Sequence, residues 1–451
     1  MGFYQANLAV FAAANTYLAW SQHRRARQKP DATPPCSERA VEGCEGTRPG
    51  TQVREFQLNF LLPYTLAVAA DWLQGPHLYA LYKYDKHLSE RMVATLYSVG
   101  FISGAISAPL VGGAADGFGR KKACVLYCIL YMITCLTMMS DNLPILFAGR
   151  FTGGVGTTLL CSVFEAWMMS DYHERGLQAS ALQPGSIFSA MTTISCLVAM
   201  ACGVLGDAVV AASGTRIWPF IIAMACCCAC GTLICLTWRD NFGASRLGSD
   251  ATDGIRSGLG AVAWDGRMLS VGLISCVFEG TMYLFIFFWS ASLQSARNEA
   301  GSSGELPFGL IFSNFMCAMM AGSALAARLA QPSAASKDSA DVVLTVVLLA
   351  ACALATAVVL RGEVLVFWAF CLLEACIGAY FPAMASLKSE LVEDKSRAMV
   401  YSILRFPLNV FVVVGHSLDQ EGSEHRNKVF LVCSALLVVS VVIVRRHLVR
   451  T

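Results

Sequence analysis

The sequence predicts an all-α, polytopic membrane protein built from two six-helix bundles, with one extra transmembrane helix ahead of them. Three observations carry this. Hydrophobic residues make up 56% of the 451, and charged residues only 14%, where soluble domains carry roughly 25% charged. The apolar residues fall in blocks of about 20, the length of a helix that crosses the hydrocarbon core. The blocks show no apolar/polar alternation and are far too long for barrel strands.

The blocks lie near 3–20, 57–82, 92–114, 123–140, 143–168, 186–210, 217–238, 268–291, 307–330, 341–360, 364–387, 398–418 and 429–444. A Gly, Ser and Asp-rich stretch from Arg239 to Arg267 separates the first six core spans from the last six. The expected organisation is an extra membrane helix over 1–22, a cytoplasmic loop over 23–56 and a first bundle over 57–238. A cytoplasmic linker over 239–267, a second bundle over 268–445 and a tail over 446–451 complete it.

Short cytoplasmic loops hold the Lys/Arg excess of a membrane protein. Here alternate loops carry Arg24, Arg25, Arg27 and Lys29, then Arg120, Lys121 and Lys122, then Arg239, Arg246 and Arg256, then Lys388, Lys395 and Arg397. Arg445, Arg446 and Arg450 follow in the tail, so the C-terminus is expected in the cytoplasm and the N-terminus outside. A cleaved signal peptide would carry its charge ahead of the apolar run. Segment 3–20 has its charges behind it, which favours a retained anchor. Met1-Gly2 opens like a myristoylation signal, but Ala6 stands where Ser or Thr is required.

A net charge of +2 gives no nucleic-acid surface. The 19 cysteines mostly sit inside apolar blocks, as in Cys226, Cys227, Cys228 and Cys230, where neighbours point around a helix and cannot converge on a metal. Cys36 and Cys44 lack a CxxC spacing or nearby His, so no metal site or cofactor is expected. No phosphate-cradling Gly loop, HExxH or nucleophile elbow occurs, and an enzyme is not expected.

Between the second and third core spans lies Gly112-Gly113-Ala114-Ala115-Asp116-Gly117-Phe118-Gly119-Arg120-Lys121. It resembles the cytoplasmic loop signature of the major facilitator superfamily, G-x-x-x-D-[RK]-x-G-R-[RK], with Gly117 standing where a basic residue is usual. Physically, Gly112 is expected to let helices approach, Asp116 to face a helix N-terminus, and Arg120 to clamp carboxylates or helix-end carbonyls. Gly112, Asp116, Gly119, Arg120 and Lys121 form a candidate conformational latch.

Arg150 followed by Gly154 resembles the superfamily's second signature, and Glu374 with Gly378 repeats that spacing with the charge reversed. Asp71 in the first core span and Glu279 in the seventh match if the halves are parallel repeats. Arg405 adds a charge just before Pro407. A charge near the bilayer centre costs about 2.5–3.5 kcal/mol or more, so such residues face the bundle interior and find partners. Pairing of Arg150 and Arg405 with some of Asp71, Glu279 and Glu374 is therefore expected, around a shared polar chamber. An arginine fork suits a tetrahedral oxyanion, and leftover carboxylates can exchange a coupling proton. The plainer alternatives are charges that only tie helices together, or an Arg150 that snorkels to water. Asp207, near a helix end, is expected to be interfacial.

Several stretches resemble one branch of the superfamily, the molybdate-anion transporter family. They are Ala70-Asp71-Trp72-Leu73-Gln74-Gly75-Pro76, Phe164-Glu165-Ala166-Trp167, Phe278-Glu279, Glu374-Ala375-Cys376-Ile377-Gly378-Ala379-Tyr380-Phe381-Pro382 and Arg405-Phe406-Pro407. The extra N-terminal segment is also similar to that family. The resemblance implies a major-facilitator-type bundle that takes molybdate up through the cell membrane by alternating access. Substrate-binding or coupling residues would then be Asp71, Arg150, Glu279, Glu374 and Arg405, with Glu165 as a gate. A porter for sugars or other small organic solutes, or a receptor-like member that does not transport, remains the alternative, because fold does not fix function.

Overall fold

The computed structural model describes residues 2–28, 49–179, 182, 184–242, 266–301, 304–329, 339–360, 362–391, 407–416 and 422–448. Cys36, Cys44, Lys395, Arg397, Arg405 and most of the loop and linker expected at 23–56 and 239–267 lie outside the described residues.

Helices account for nearly all of the described chain. They are α1 (Phe3–Gln28), α2 (Pro49–Ala80), α3 (Glu90–Phe118), α4 (Arg120–Thr137), α5 (Leu143–Glu174), α6 (Pro184–Ser213), α7 (Trp218–Thr237), α8 (Gly266–Glu299), α9 (Phe308–Leu329), α10 (Ser339–Val359), α11 (Glu363–Leu391), α12 (Pro407–His416) and α13 (Ser423–Leu448). Local chemistry sets their ends. Ser89 caps α3 by accepting the Met92 N–H at 3.3 Å, with Glu90 in the first turn. Proline opens α5 and α7, where the missing N–H has no helical partner to lose. Gly119, at φ +106°, makes the break between α3 and α4, and a side chain there would collide with Asp240.

In the first half α5 packs on α3 and α4, and α2 packs on α6 and α7. In the second, α11 packs on α9 and α10, while α13 packs on α8 and α10. Glycines bring α9 and α11 together: a Cβ on Gly378 would lie 1.9 Å from the Met319 carbonyl oxygen, and one on Gly322 would lie 1.9 Å from that of Ala375. Large apolar side chains such as Leu62, Leu110, Leu236, Val359 and Val442 point outward, as a lipid-facing surface requires. Eight of the helices are long and apolar enough to cross a membrane by composition alone. The others include α2 and α5, whose apolar runs are diluted by polar residues, and α12, which is short.

The extra helix α1 is not a detached anchor. It lies on α9 and the start of α11: Asn15 donates to the Cys317 carbonyl (2.9 Å), Asn314 donates to the Tyr4 carbonyl (3.2 Å), and Tyr4 hydrogen-bonds Glu363. Phe3 and Tyr4 both pack on Phe367. The N-terminus of α1 thus shares the bundle end of Glu363, opposite the basic end that holds Arg120, Lys121 and Arg239.

The halves meet mainly through α6 and α9. Their polar contacts gather at the end away from the basic loops. Glu90 and Arg426 pair at 2.8 Å, Arg216 bridges Asp85 and Glu305, and Asp207 accepts the backbone N–H groups of Gly309 (2.9 Å) and Leu310 (2.7 Å). Aromatic pairs Tyr79–Phe287, Tyr84–Phe308 and Trp72–Phe312 fill the seam beneath.

Candidate functional site

Asp71 lies in the last third of α2 and faces α4, where Tyr131 donates a hydrogen bond to its carboxylate. The Tyr131 hydroxyl also lies 3.0 Å from Thr157 Oγ1 on α5, and Thr134 and Thr152 continue the hydroxyl array at 2.9 Å. Space for the Tyr131 ring comes from Gly156, whose added Cβ would fall 2.5 Å from it.

Arg150 lies one turn before the glycine pair of α5. Gly154 closes α5 on α3, a Cβ there falling 2.2 Å from the Gly100 carbonyl oxygen, and Gly100 leaves room for the Arg150 guanidinium. Arg150 Nε donates to the Leu96 carbonyl (3.3 Å), and its guanidinium carbon sits 5.1 Å from the Tyr97 ring centre. The Arg-to-Gly spacing therefore has a packing reason.

The expected pairing of Arg150 with Asp71, Glu279 or Glu374 is not made. Among the described residues Arg150 forms no ion pair. Glu279 is compensated instead by Lys388 at 3.5 Å, with Tyr380 donating to it at 3.3 Å. Asp71 is satisfied by hydroxyls, and Glu374, 5% exposed, has no hydrogen bond or ion pair among the described residues. Arg405 lies outside the described residues. The charges sit in separate clusters inside the bundle. Lys388 was legible only as a loop charge, whereas α11 runs on to Leu391 and keeps it within reach of α8.

The latch sequence is tied down inside the first half. Arg120 pairs with Asp116 (2.8 Å) and donates to the Ala166 carbonyl (3.1 Å), while its backbone N–H donates to the Asn241 carbonyl. Lys121 caps the end of α7 through the carbonyls of Cys235 (2.9 Å) and Trp238 (2.8 Å). Trp167 and Trp238 stack at 3.7 Å beneath. Gly112 departs from expectation: a Cβ there meets nothing within 4 Å, so no close helix approach depends on it. Glu165 is exposed and, with Asp71, lies within electrostatic reach of Tyr64.

A cavity of about 700 Å³ opens at the basic end between α2, α5 and α7, lined by Glu55, Asn59, Asp171, Arg175 and Arg239. It lies on the flank of the first half, away from the charged clusters. Among the described residues no group of three or more His, Cys, Asp or Glu could hold a metal. Two histidines escaped sequence reading, His77 and His416, each 2% exposed. A lone ionisable residue in an apolar run was the available signal.

Residues 41–373 match a family model described as "Sugar-transporters, 12 TM". A molybdate-anion transporter of Xenopus tropicalis is 32% identical over 404 residues, covering 87% of this chain and 85% of its own length. The chain belongs to the molybdate-anion transporter family of the major facilitator superfamily. Another member, from Takifugu rubripes, is 30% identical over 410 residues, covering 85% of this chain and 82% of its own. Among solved structures, the fold resembles a peptide transporter POT in complex with sulfate (TM-score 0.69, 12% identity, 88% of this chain and 94% of that one). It also resembles a mutant of the nucleoside transporter NupG (TM-score 0.68, 14% identity, 87% and 100%). These structural likenesses carry the fold alone. The protein is thus a multi-pass membrane transporter of the major-facilitator type, and its relatives are transporters rather than enzymes.

Proposed function

We propose that this transporter moves molybdate, a tetrahedral oxyanion, by alternating access between its two halves. The observation that carries the reading is Arg150: a guanidinium inside a membrane-crossing helix with no carboxylate partner among the described residues. An unpaired cation at that depth is costly, and a doubly charged oxyanion that accepts several hydrogen bonds offsets the cost during transport. The naming of the curated relatives points to the same anion.

In this reading the bundle divides at 57–238 and 268–445, and the contacts Glu90–Arg426, Arg216–Asp85 and Asp207–Leu310 hold the outer end shut. The basic end faces the cytoplasm and α1 begins outside the cell membrane. Asp71, Glu279 and Glu374 are the carboxylates available for a coupling proton, with Arg405 as a second anion-binding candidate. Asp116, Gly119, Arg120 and Lys121 brace the basic end of the first half, with Gly112 beside them, and Glu165 stands at the cytoplasmic mouth. Tyr131 satisfies Asp71 now, Lys388 and Tyr380 satisfy Glu279, and these partners can release the two carboxylates when protons arrive.

The test is labelled molybdate uptake in cells with confirmed surface expression. Saturable uptake that sulfate competes, lost in Arg150→Ala, supports the reading. Absence of molybdate uptake with saturable uptake of a sugar would replace it with the organic-solute alternative. Loss of pH dependence in Asp71→Asn or Glu279→Gln would assign the coupling carboxylate.

A further inference from the structure

We infer that His416 of α12 and Arg150 of α5 form one anion subsite, with its two arms drawn from opposite halves of the transporter. The inference rests on the reading of the substrate as an oxyanion and names a residue for it.

His416 is 2% exposed, and neither Nδ1 nor Nε2 has a hydrogen-bond partner among the described residues. A buried polar group left unpaired is destabilising, and buried polar groups in native proteins are nearly all satisfied. The surroundings do not satisfy this one. The imidazole stacks on Phe101 (5.7 Å, 20°), meets the edge of Phe287 (4.7 Å, 81°) and lies beside Tyr97 (6.4 Å). Those rings fix its plane, and none of them hydrogen-bonds it.

Tyr97 is also the ring over which Arg150 lies, its guanidinium carbon 5.1 Å from the ring centre, so the two groups border the same ring. Only Nε of Arg150 is engaged, by the Leu96 carbonyl; the two Nη groups make no hydrogen bond among the described residues. A guanidinium fork and an imidazole N–H across one seam, with aromatic walls from both halves, form a donor set for an anion and repel a cation. A tetrahedral oxyanion has enough acceptor oxygens to engage both arms at once. Because one arm belongs to each half, an ion bound there ties the halves together, the coupling that alternating access needs.

The experiment measures molybdate uptake and molybdate-induced thermal stabilisation of the purified full chain. His416→Phe keeps the ring packing and removes both nitrogens, whereas His416→Gln keeps a donor and an acceptor. The expected result is a rise in KM of at least about tenfold for His416→Phe, a smaller rise for His416→Gln, and loss of the stabilisation by molybdate in His416→Phe. A wild-type KM and wild-type stabilisation in His416→Phe would overturn the inference and leave the oxyanion reading standing. Absence of uptake and stabilisation by molybdate, tungstate and sulfate in the wild-type protein would overturn both. Should His416→Phe fail to reach the membrane, His416→Met carries the same comparison.

Discussion

Glu90 at the start of α3 and Arg426 in α13 meet at 2.8 Å across the two halves, and both side chains are largely buried. Gly422 N–H donates to the other Glu90 oxygen (3.2 Å), and Arg426 reaches Ser295 with its second Nη. Breaking one member of a buried pair is more harmful than removing both, because a lone charge is left out of water. Arg426→Gln alone should therefore lower the melting temperature of the purified protein more than Glu90→Gln with Arg426→Gln together. Equal effects, or a worse double variant, would mean that the pair contributes nothing as a pair.

Asp207 presents both carboxylate oxygens to the first free N–H groups of α9, a helix of the other half. Removing a capping acceptor costs about 0.5–2 kcal/mol, and the carboxylate's charge adds its interaction with the helix N-terminus. Stability should fall in the order wild type, Asp207→Asn, Asp207→Ala, since the amide keeps one acceptor and loses the charge. Thermal melts of the three proteins check the order. An Asp207→Ala protein as stable as wild type would remove the α6–α9 contact from the outer closure.

These contacts mark the boundary of what the sequence makes legible. Spans are readable because a membrane-crossing helix demands about 20 apolar residues whatever it packs against. Helix ends are less so: α2 begins at Pro49, ahead of the apolar block at 57, because polar residues such as Glu55 continue the helix past the hydrocarbon. Inward charges were legible by their cost in lipid, so Asp71, Arg150, Glu279 and Glu374 stood out. Their partners were not, since tertiary packing alone brings Tyr131 to Asp71, Lys388 to Glu279 and Tyr97 to Arg150. Asp207 was expected only as a membrane-interface charge, and nothing local pointed to the N-terminus of α9 as its partner.

Tyr131 holds Asp71 in a hydroxyl network, and Gly156 makes room for its ring. Tyr131→Phe keeps the packing and removes the donor, leaving the carboxylate short of a partner at a cost of about 1–3 kcal/mol. Gly156→Ala should produce the same defect by displacing the ring. If Asp71 serves the transport cycle, both variants lower the maximal uptake rate at unchanged surface level. Full activity in Tyr131→Phe would relieve Tyr131 of any positioning role.

Glycine gives the clearest contrast between sites that look alike in sequence. A Cβ at Gly378 would fall 1.9 Å from the Met319 carbonyl oxygen and 2.7 Å from its carbonyl carbon, backbone atoms that cannot move without separating α9 from α11. The reciprocal contact of Gly322 with Ala375 repeats the constraint. At Gly112, within the superfamily loop signature, a Cβ would meet nothing within 4 Å. Overpacking a close helix crossing costs about 1–3 kcal/mol or more, while an open helical position gains up to about 1 kcal/mol from Gly to Ala. Gly378→Ala and Gly322→Ala should each lower the melting temperature, and Gly112→Ala should leave it level or raise it. If Gly112→Ala nonetheless loses uptake at wild-type stability, then Gly112 must come into close contact only in another state of the transport cycle, and the loop's role as a latch would rest on that state.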